Sequence, residues 1–157
     1  MPLIELQTKI NSKIEICFDL SRSIELHKIS TAKTNETAVD GVTKGLIGKD
    51  QFVTWKARHF GITQNLTTMI TSYNRPFHFS DEQIAGIFKK LKHDHFFALE
   101  NNMVLMTDKF LFESPFGFFG DIFNKLVLTK YLKKFLIVRN EMIKDFAETD
   151  KWKQLLL

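Results

Sequence analysis

The sequence predicts an α+β fold: a curved antiparallel sheet of about six or seven strands, two short helices after the first strand, and one long C-terminal helix laid across the sheet. Three observations carry this. Apolar and polar residues alternate over residues 3–10 and again through residues 50–113, the period of strands with one buried face. Turn residues punctuate the second stretch at hairpin spacing. From about residue 119 to about residue 148 the apolar spacing becomes three and four, that of an amphipathic helix.

The first strand, LIELQTKI, puts Ile4, Leu6 and Ile10 on one side and Glu5, Gln7 and Lys9 on the other. Asn11 and Ser12 offer N-cap oxygens to a short helix in which Ile14, Cys17 and Phe18 share a face. A second helical piece, roughly Ser21 to Ile29, completes the helical stretch over residues 12–30. Residues 30–50 are polar and contain Gly41, Gly45 and Gly48; they read as a connection with room for one short helix or strand.

Residues 51–60 form a strand with Val53, Trp55, Ala57 and His59 on one face and Thr54, Lys56 and Arg58 on the other. Beyond Gly61, residues 62–73 align Ile62, Gln64, Leu66, Thr68 and Ile70. Asn74-Arg75-Pro76 is turn chemistry. Strands over 77–87 and 88–99 follow, with a bend or bulge at Gly86. Asn101-Asn102 makes a tight turn, and residues 103–113 align Val104, Met106, Asp108, Phe110 and Phe112. Ser114-Pro115 ends that strand. In the last helix Leu128, Tyr131, Phe135, Val138, Met142 and Phe146, widened by Leu132, Leu136 and Ile143, form a stripe broader than a coiled-coil seam. No repeat or low-complexity tract divides the chain, so residues 1–157 read as one domain.

Composition narrows the function classes. One cysteine, Cys17, allows no internal disulfide and no multi-cysteine zinc module. No apolar run approaches the roughly 18 residues of a spanning helix. Residues 1–9 lack a basic leader and contain Glu5, so a cytoplasmic location is expected. The net charge of +4, from 22 basic and 18 acidic residues, is mild. The lysine groups Lys89/Lys90/Lys92 and Lys130/Lys133/Lys134 come without stacking aromatics or a recognition motif, so no nucleic-acid partner is expected. There is no phosphate loop, Gly-x-Ser-x-Gly, His-Glu-x-x-His or Cys-x-x-Cys, and no cofactor is assigned. Of 16 Phe, 11 fall between Phe77 and Phe123, against 2 Trp and 2 Tyr in the whole chain. That concentrates dry aromatic surface in one region, because Phe carries no polar handle.

The segments VTWKARHFGI (53–62), NRPFHFSDEQIAGIFKKLKHDHFF (74–97) and LMTDKFLFESPFGFFG (105–120) resemble a bacterial subgroup of the START-like, or SRPBCC, ligand-binding superfamily. That superfamily includes polyketide cyclases, lipid-transfer domains and birch-pollen-type allergens. Members of the subgroup are sometimes labelled cell-division inhibitors or cyclases. The resemblance implies a helix-grip architecture, in which the sheet grips the C-terminal helix and encloses a deep apolar cavity. It also implies a small hydrophobic ligand, a lipid or polyketide-like molecule, as partner; the assembly expected is a monomer or weak dimer. The Phe excess then poses a choice, since the rings either line the cavity or fill it.

The residues expected to face that cavity follow from the strand faces and the helix stripe. Trp55, His59, Leu66, Phe79 and Gln83 come from the earlier strands. His93, His95, Phe97, Met106 and Phe110 come from the later ones, and Phe135 and Arg139 from the helix. Non-catalytic binding is the first reading. The alternative is a cyclase- or dehydratase-type enzyme with His93, His95, Asp81 and Asp108 as candidate acid–base groups, since a carboxylate facing an apolar cavity has a raised pKa. His93 and His95, two apart on one strand, point to the same face. They fall short of a zinc set unless Asp108 and His59 join them, and no metal is assigned. Arg139, at the edge of the helix stripe, calls for a carboxylate: Asp108 or Asp81 in a structural ion pair, or an acid on the ligand. A second alternative is an interaction module that uses the Phe116–Phe119 loop.

Overall fold

A computed structural model describes residues 1–115, 117, 122 and 124–157. The alternating segments form one sheet of seven strands: β1 (Leu3–Ile10), β2 (Thr37–Gly41), β3 (Phe52–His59), β4 (Ile62–Asn74), β5 (His78–Ala85), β6 (Lys90–Glu100) and β7 (Met103–Glu113). The order is β1-β7-β6-β5-β4-β3-β2, antiparallel throughout. Strands β2 to β7 thus pair with their neighbours in sequence, and only β1 reaches across the chain, to β7. β2 lies within the polar stretch that sequence alone leaves as a connection, just after a 3₁₀ turn at Ala32–Thr34.

Two hairpins close with two-residue turns of positive φ, whose twist matches that of the strands. Asn101 (φ 52°) and Asn102 (φ 63°) join β6 to β7, and Phe60 (φ 53°) and Gly61 (φ 76°) join β3 to β4. Asn tolerates this conformation; Phe60 adopts it at a cost of about 1–2 kcal/mol. The β4–β5 turn contains a cis Arg75–Pro76 peptide.

The helices are α1 (Ile14–Ser21), α2 (Ile24–Ser30), α3 (Thr129–Glu148) and α4 (Lys153–Leu156). α1 buries Ile14, Cys17 and Phe18, the face its spacing predicts, and Leu20 as well. Its start corrects the expected cap: the N-cap position is Lys13, with no side-chain bond. Asn11 instead donates its backbone N–H to the Glu148 carboxylate at 2.8 Å, tying the end of β1 to the end of α3. α2 is capped by Ser23, whose Oγ accepts from the Leu26 N–H at 3.2 Å. α3 follows a π-helical turn at Asn124–Leu128, and the helix start expected near residue 119 lies outside the described residues. None of the described helices is long and apolar enough to cross a membrane.

α3 is rotated slightly from its apolar stripe. Its buried residues are Leu136, Arg139, Asn140, Ile143, Phe146 and Ala147, whereas Val138, expected in the stripe, is 39% exposed. Arg139 therefore sits at the centre of the sheet-facing surface, not at its edge. The reason lies opposite it on the sheet, where a buried carboxylate waits for a cation.

The buried apolar residues form two separate clusters. One gathers α1 and α2 with Ile10, Val104, Met106, Phe97 and Phe79, and takes Ile143, Phe146 and Ala147 from α3. The other holds Ile4, Leu91, Phe110 and Phe112 with Leu128 and Leu136. β6, β7 and α3 each cross from one cluster to the other, and on each the crossing point is polar.

Candidate functional site

The polar crossing is set by strand register. On β7 it is Asp108, between Met106 and Phe110; on β6 it is His95 and His93, between Phe97 and Leu91. The ladders place His95 opposite Asp108 and Phe97 opposite Met106. On the other flank Asp81 of β5 pairs with His93, and Phe79 pairs with His95. Because side chains alternate with period two, a register that aligns the apolar residues also aligns the polar ones in one layer. From above, α3 contributes Arg139 and Asn140 between Leu136 and Ile143.

The layer is closely bonded. Asp108, with no exposed surface, accepts from His93 Nε2 at 2.8 Å, Asn140 Nδ2 at 2.7 Å and Arg139 at 3.4 Å. Arg139 also donates to the Asn140 side-chain oxygen at 3.0 Å and the Ser21 carbonyl at 3.2 Å. His95 Nδ1 lies 3.3 Å from Arg139, and its Nε2 lies 2.7 Å from Asp81 Oδ2. The ring of His95 stacks on Phe79 at 4.0 Å and lies 3.7 Å from the ring of His93.

These contacts decide the charges. Burial works to raise the Asp108 carboxyl, but the His93 hydrogen bond and the Arg139 and histidine charges outweigh it and hold the group below the ordinary carboxylate range. Burial pushes His95 well below the usual imidazole value, and the charges of His93 and Arg139 push it the same way, so it is neutral at pH 7. Since Arg139 can only donate, His95 Nδ1 accepts from it, and Nε2–H donates to Asp81. Asp81 is raised by burial, against the lowering influence of His93 and Arg139. Of the two carboxylates, Asp108 is the one held as an anion, and Asp81 the one whose protonated form burial favours.

A group whose folded pKa is raised favours folding below its unfolded pKa, and that contribution is lost as pH rises through the folded value. At neutral pH the Asp81 charge is thus a cost. The Asp81→Asn protein keeps an oxygen for His95 and is expected to melt at the same temperature as the parent, or a few degrees higher, at pH 7. A marked drop in thermal unfolding would show instead that Arg139 depends on the Asp81 charge.

Among the described residues, Asp81, His93 and His95 are a group whose ligand atoms, all within 4.8 Å of one another, could hold a metal. The Arg139 guanidinium lies beside this group, 3.3 Å from His95 Nδ1. Asp108 and Asp81 already engage the Nε2 atom of each histidine. The geometry suits an ion-paired network better than a cation. His59 is not part of it: its Nδ1 meets the Tyr131 hydroxyl at 2.5 Å and its Nε2 faces Glu36 at 3.4 Å.

Between the sheet and α3 lies a cavity of about 430 Å³. Its wall includes the expected Trp55, His59, Leu66, Phe79, His93, His95, Phe110, Phe135 and Arg139, and also Asp81. Four expected residues are not among those lining it. Gln83 turns away to clamp the Phe88 backbone, donating to its carbonyl at 2.6 Å and accepting from its N–H at 3.2 Å. Phe97 and Met106 share the cavity-side face but are roofed by α1, so they pack in the core cluster. Asp108 is sealed by its own partners. The Phe excess is divided as well: Phe79, Phe88 and Phe110 line the cavity, Phe97 and Phe112 pack outside it, and Phe77 and Phe96 are 53% and 37% exposed. The described rings thus line space without filling it. Phe116, Phe118 and Phe119, the loop of the interaction-module reading, lie outside the described residues.

A further wall cluster has no sequence signal of its own. Glu36, from the non-periodic stretch before β2, bonds to His27 of α2 and faces His59; all three line the cavity with Tyr131. A lone glutamate in a polar connection and a lone histidine on a short helix reveal nothing until the fold joins them.

No protein-family profile matches the sequence, and no curated protein matches it. Solved structures do match over nearly the whole chain. A START superfamily protein from Mycobacterium smegmatis is 9% identical, covers 93% of this chain and 97% of its own, and has a TM-score of 0.68. The fold is START-like. Ginseng major latex-like protein 151 from Panax ginseng shares it at 15% identity, covering 94% of this chain and 98% of its own, with a TM-score of 0.69. So does the Zhui aromatase/cyclase from Streptomyces sp. R1128, at 11% identity, 94% and 93% coverage and a TM-score of 0.64. None of the three is described as a cell-division protein. In this START-like chain the sheet grips α3 as the resemblance implies, with the polar layer inside the grip.

Proposed function

We propose that the protein binds a small, largely apolar molecule, lipid or polyketide-like, in the cavity between the sheet and α3. The observation that carries this reading is the cavity itself: about 430 Å³ bounded by Val53, Trp55, Ile70, Leu91, Phe110 and Leu136, with polar groups at few points. Small-molecule sites of about 300–1,000 Å³ have this character, apolar walls with sparse converging polar atoms. One water needs only about 10–15 Å³ of such volume, so the space far exceeds what a few waters occupy. The START-like, latex-like and aromatase/cyclase neighbours support the reading.

Native mass spectrometry of the purified protein, followed by organic extraction, tests it. The expected result is an adduct of small-molecule mass that extraction releases. A protein without adduct that also fails to take up an apolar fluorophore would end the proposal. The second reading, an acid–base enzyme of cyclase or dehydratase type, is favoured by one observation: Asp81 and neutral His95 are hydrogen-bonded to each other at the cavity wall. A carboxyl raised by burial beside an imidazole is a proton-transfer pair.

A further inference from the structure

Away from the Asp81–His95 pair, the cavity wall holds a chain of three groups joined in series: a phenol, an imidazole and a carboxylate. The Tyr131 hydroxyl is 2.5 Å from His59 Nδ1, and His59 Nε2 is 3.4 Å from Glu36 Oε1. The other Glu36 oxygen bonds to His27, whose ring lies against Trp55 at 4.1 Å. Tyr131 is held by the rings of Phe60 at 4.7 Å and Phe135 at 6.3 Å. Its partners come from β3, α2 and the segment before β2, so the chain exists only in the folded protein.

The direction of each hydrogen bond follows from chemistry. Burial works to raise Glu36, but the hydrogen bonds from His27 and His59 outweigh it and lower it to about 2. Glu36 is therefore an anion that can only accept, and His59 Nε2 must carry a proton toward it. In the neutral imidazole this leaves Nδ1 as an acceptor. Tyr131, raised by burial and by the Glu36 charge, keeps its proton and donates it to Nδ1. A hydroxyl that donates still has acceptor lone pairs. A chain of hydrogen bonds ending on a carboxylate also makes the phenolic oxygen a better acceptor. Burying a carboxylate carries a desolvation cost, so a purely packing role would be served more cheaply by apolar side chains.

We propose that Tyr131, oriented by His59 and Glu36, is an anchor for a hydroxyl group: the molecule in the cavity carries an alcohol or phenol O–H that donates to the Tyr131 oxygen. This rests on the cavity-binding reading and adds the polar group that the ligand must present.

The test uses 2-naphthol and 2-methoxynaphthalene, ring systems of matched shape of which only the first can donate. Each is titrated into the parent protein and into Tyr131→Phe at pH 7, with melting temperature as the folding control. The parent is expected to bind 2-naphthol about five- to tenfold more tightly than the methyl ether, the worth of one neutral hydrogen bond. Tyr131→Phe is expected to abolish that preference while its affinity for the ether is unchanged. Binding of both rings by the parent without preference, or a preference that survives in Tyr131→Phe, overturns the anchor and leaves the cavity reading standing. Binding of neither ring overturns both. Equal binding of the two rings by the parent overturns the anchor even where the variant is poorly folded.

Discussion

Asp108→Asn is expected to destabilise the protein by about 3–5 kcal/mol, the cost of removing one partner of a buried ion pair and stranding the other. For a chain of this length that lowers the melting temperature by about 10 °C or more. The substitution keeps the shape of the side chain, so no cavity is created. The loss is electrostatic: Arg139, only 6% exposed, would face His93 and His95 without its direct carboxylate partner, leaving Asp81, bonded to His95, as the remaining acid of the layer. Arg139→Met in the same protein is expected to recover much of that loss, because replacing a whole buried pair with apolar groups is nearly neutral. The coupling is measured with a double-mutant cycle. A loss of under about 1 kcal/mol for Asp108→Asn would show that Asn140 and Ser21 satisfy Arg139 without the carboxylate.

The buried ionisable groups also set an acid limit. His95 is lowered by burial and the neighbouring positive charges, so its contribution is present above about pH 6.5, the unfolded value, and is lost as pH falls through the folded one. Asp108 and Glu36, also lowered, contribute above about pH 4 and lose that contribution as pH falls further. Asp81, raised by burial, has the opposite sign, but Asp19, Asp94 and Glu148 are lowered as well. Melting temperature is therefore expected to decline in two stages below neutrality. The first stage disappears in His95→Gln if the imidazole is its source.

Ala57→Trp is expected to reduce the uptake of an apolar fluorophore by more than tenfold while the melting temperature holds or rises. Ala57 lines the cavity, is 7% exposed, and sits on β3 in line with Trp55 and His59. A large ring at this position has about 430 Å³ of space to enter, so it occupies ligand volume without overpacking a filled core. Phe112→Ala is the contrast: that ring is fully buried in the second cluster, away from the cavity wall. Its loss is expected to cost about 3–5 kcal/mol through a new void, with little direct effect on binding. Retained uptake in Ala57→Trp would place the binding space elsewhere.

The legibility of the site varied with how local its causes are. The period-two faces of β3, β4, β6 and β7 and the burial of α1 could be read directly from neighbouring residues, since alternation and helical spacing are properties of short segments. The presence of His93, His95 and Asp108 on interior faces was legible for the same reason. Which of these residues reach the cavity was not. Phe97 and Met106 share a face with His95 and Asp108, yet α1 roofs that end of the face, and Gln83 is drawn to the Phe88 backbone.

Periodicity and turn chemistry thus determined the elements, the inward faces and the α+β class, because each depends on residues a few positions apart. Tertiary structure alone decided the rest: the rotation of α3 that centres Arg139 over Asp108 and exposes Val138, and the joining of Glu36, His27, His59 and Tyr131. A carboxylate selects its partner by distance and desolvation in the folded state, and His59 and Tyr131 are 72 residues apart in the chain. Such a pairing leaves no pattern in a local window, because the low-dielectric space that makes it strong exists only once the sheet and α3 have closed around it.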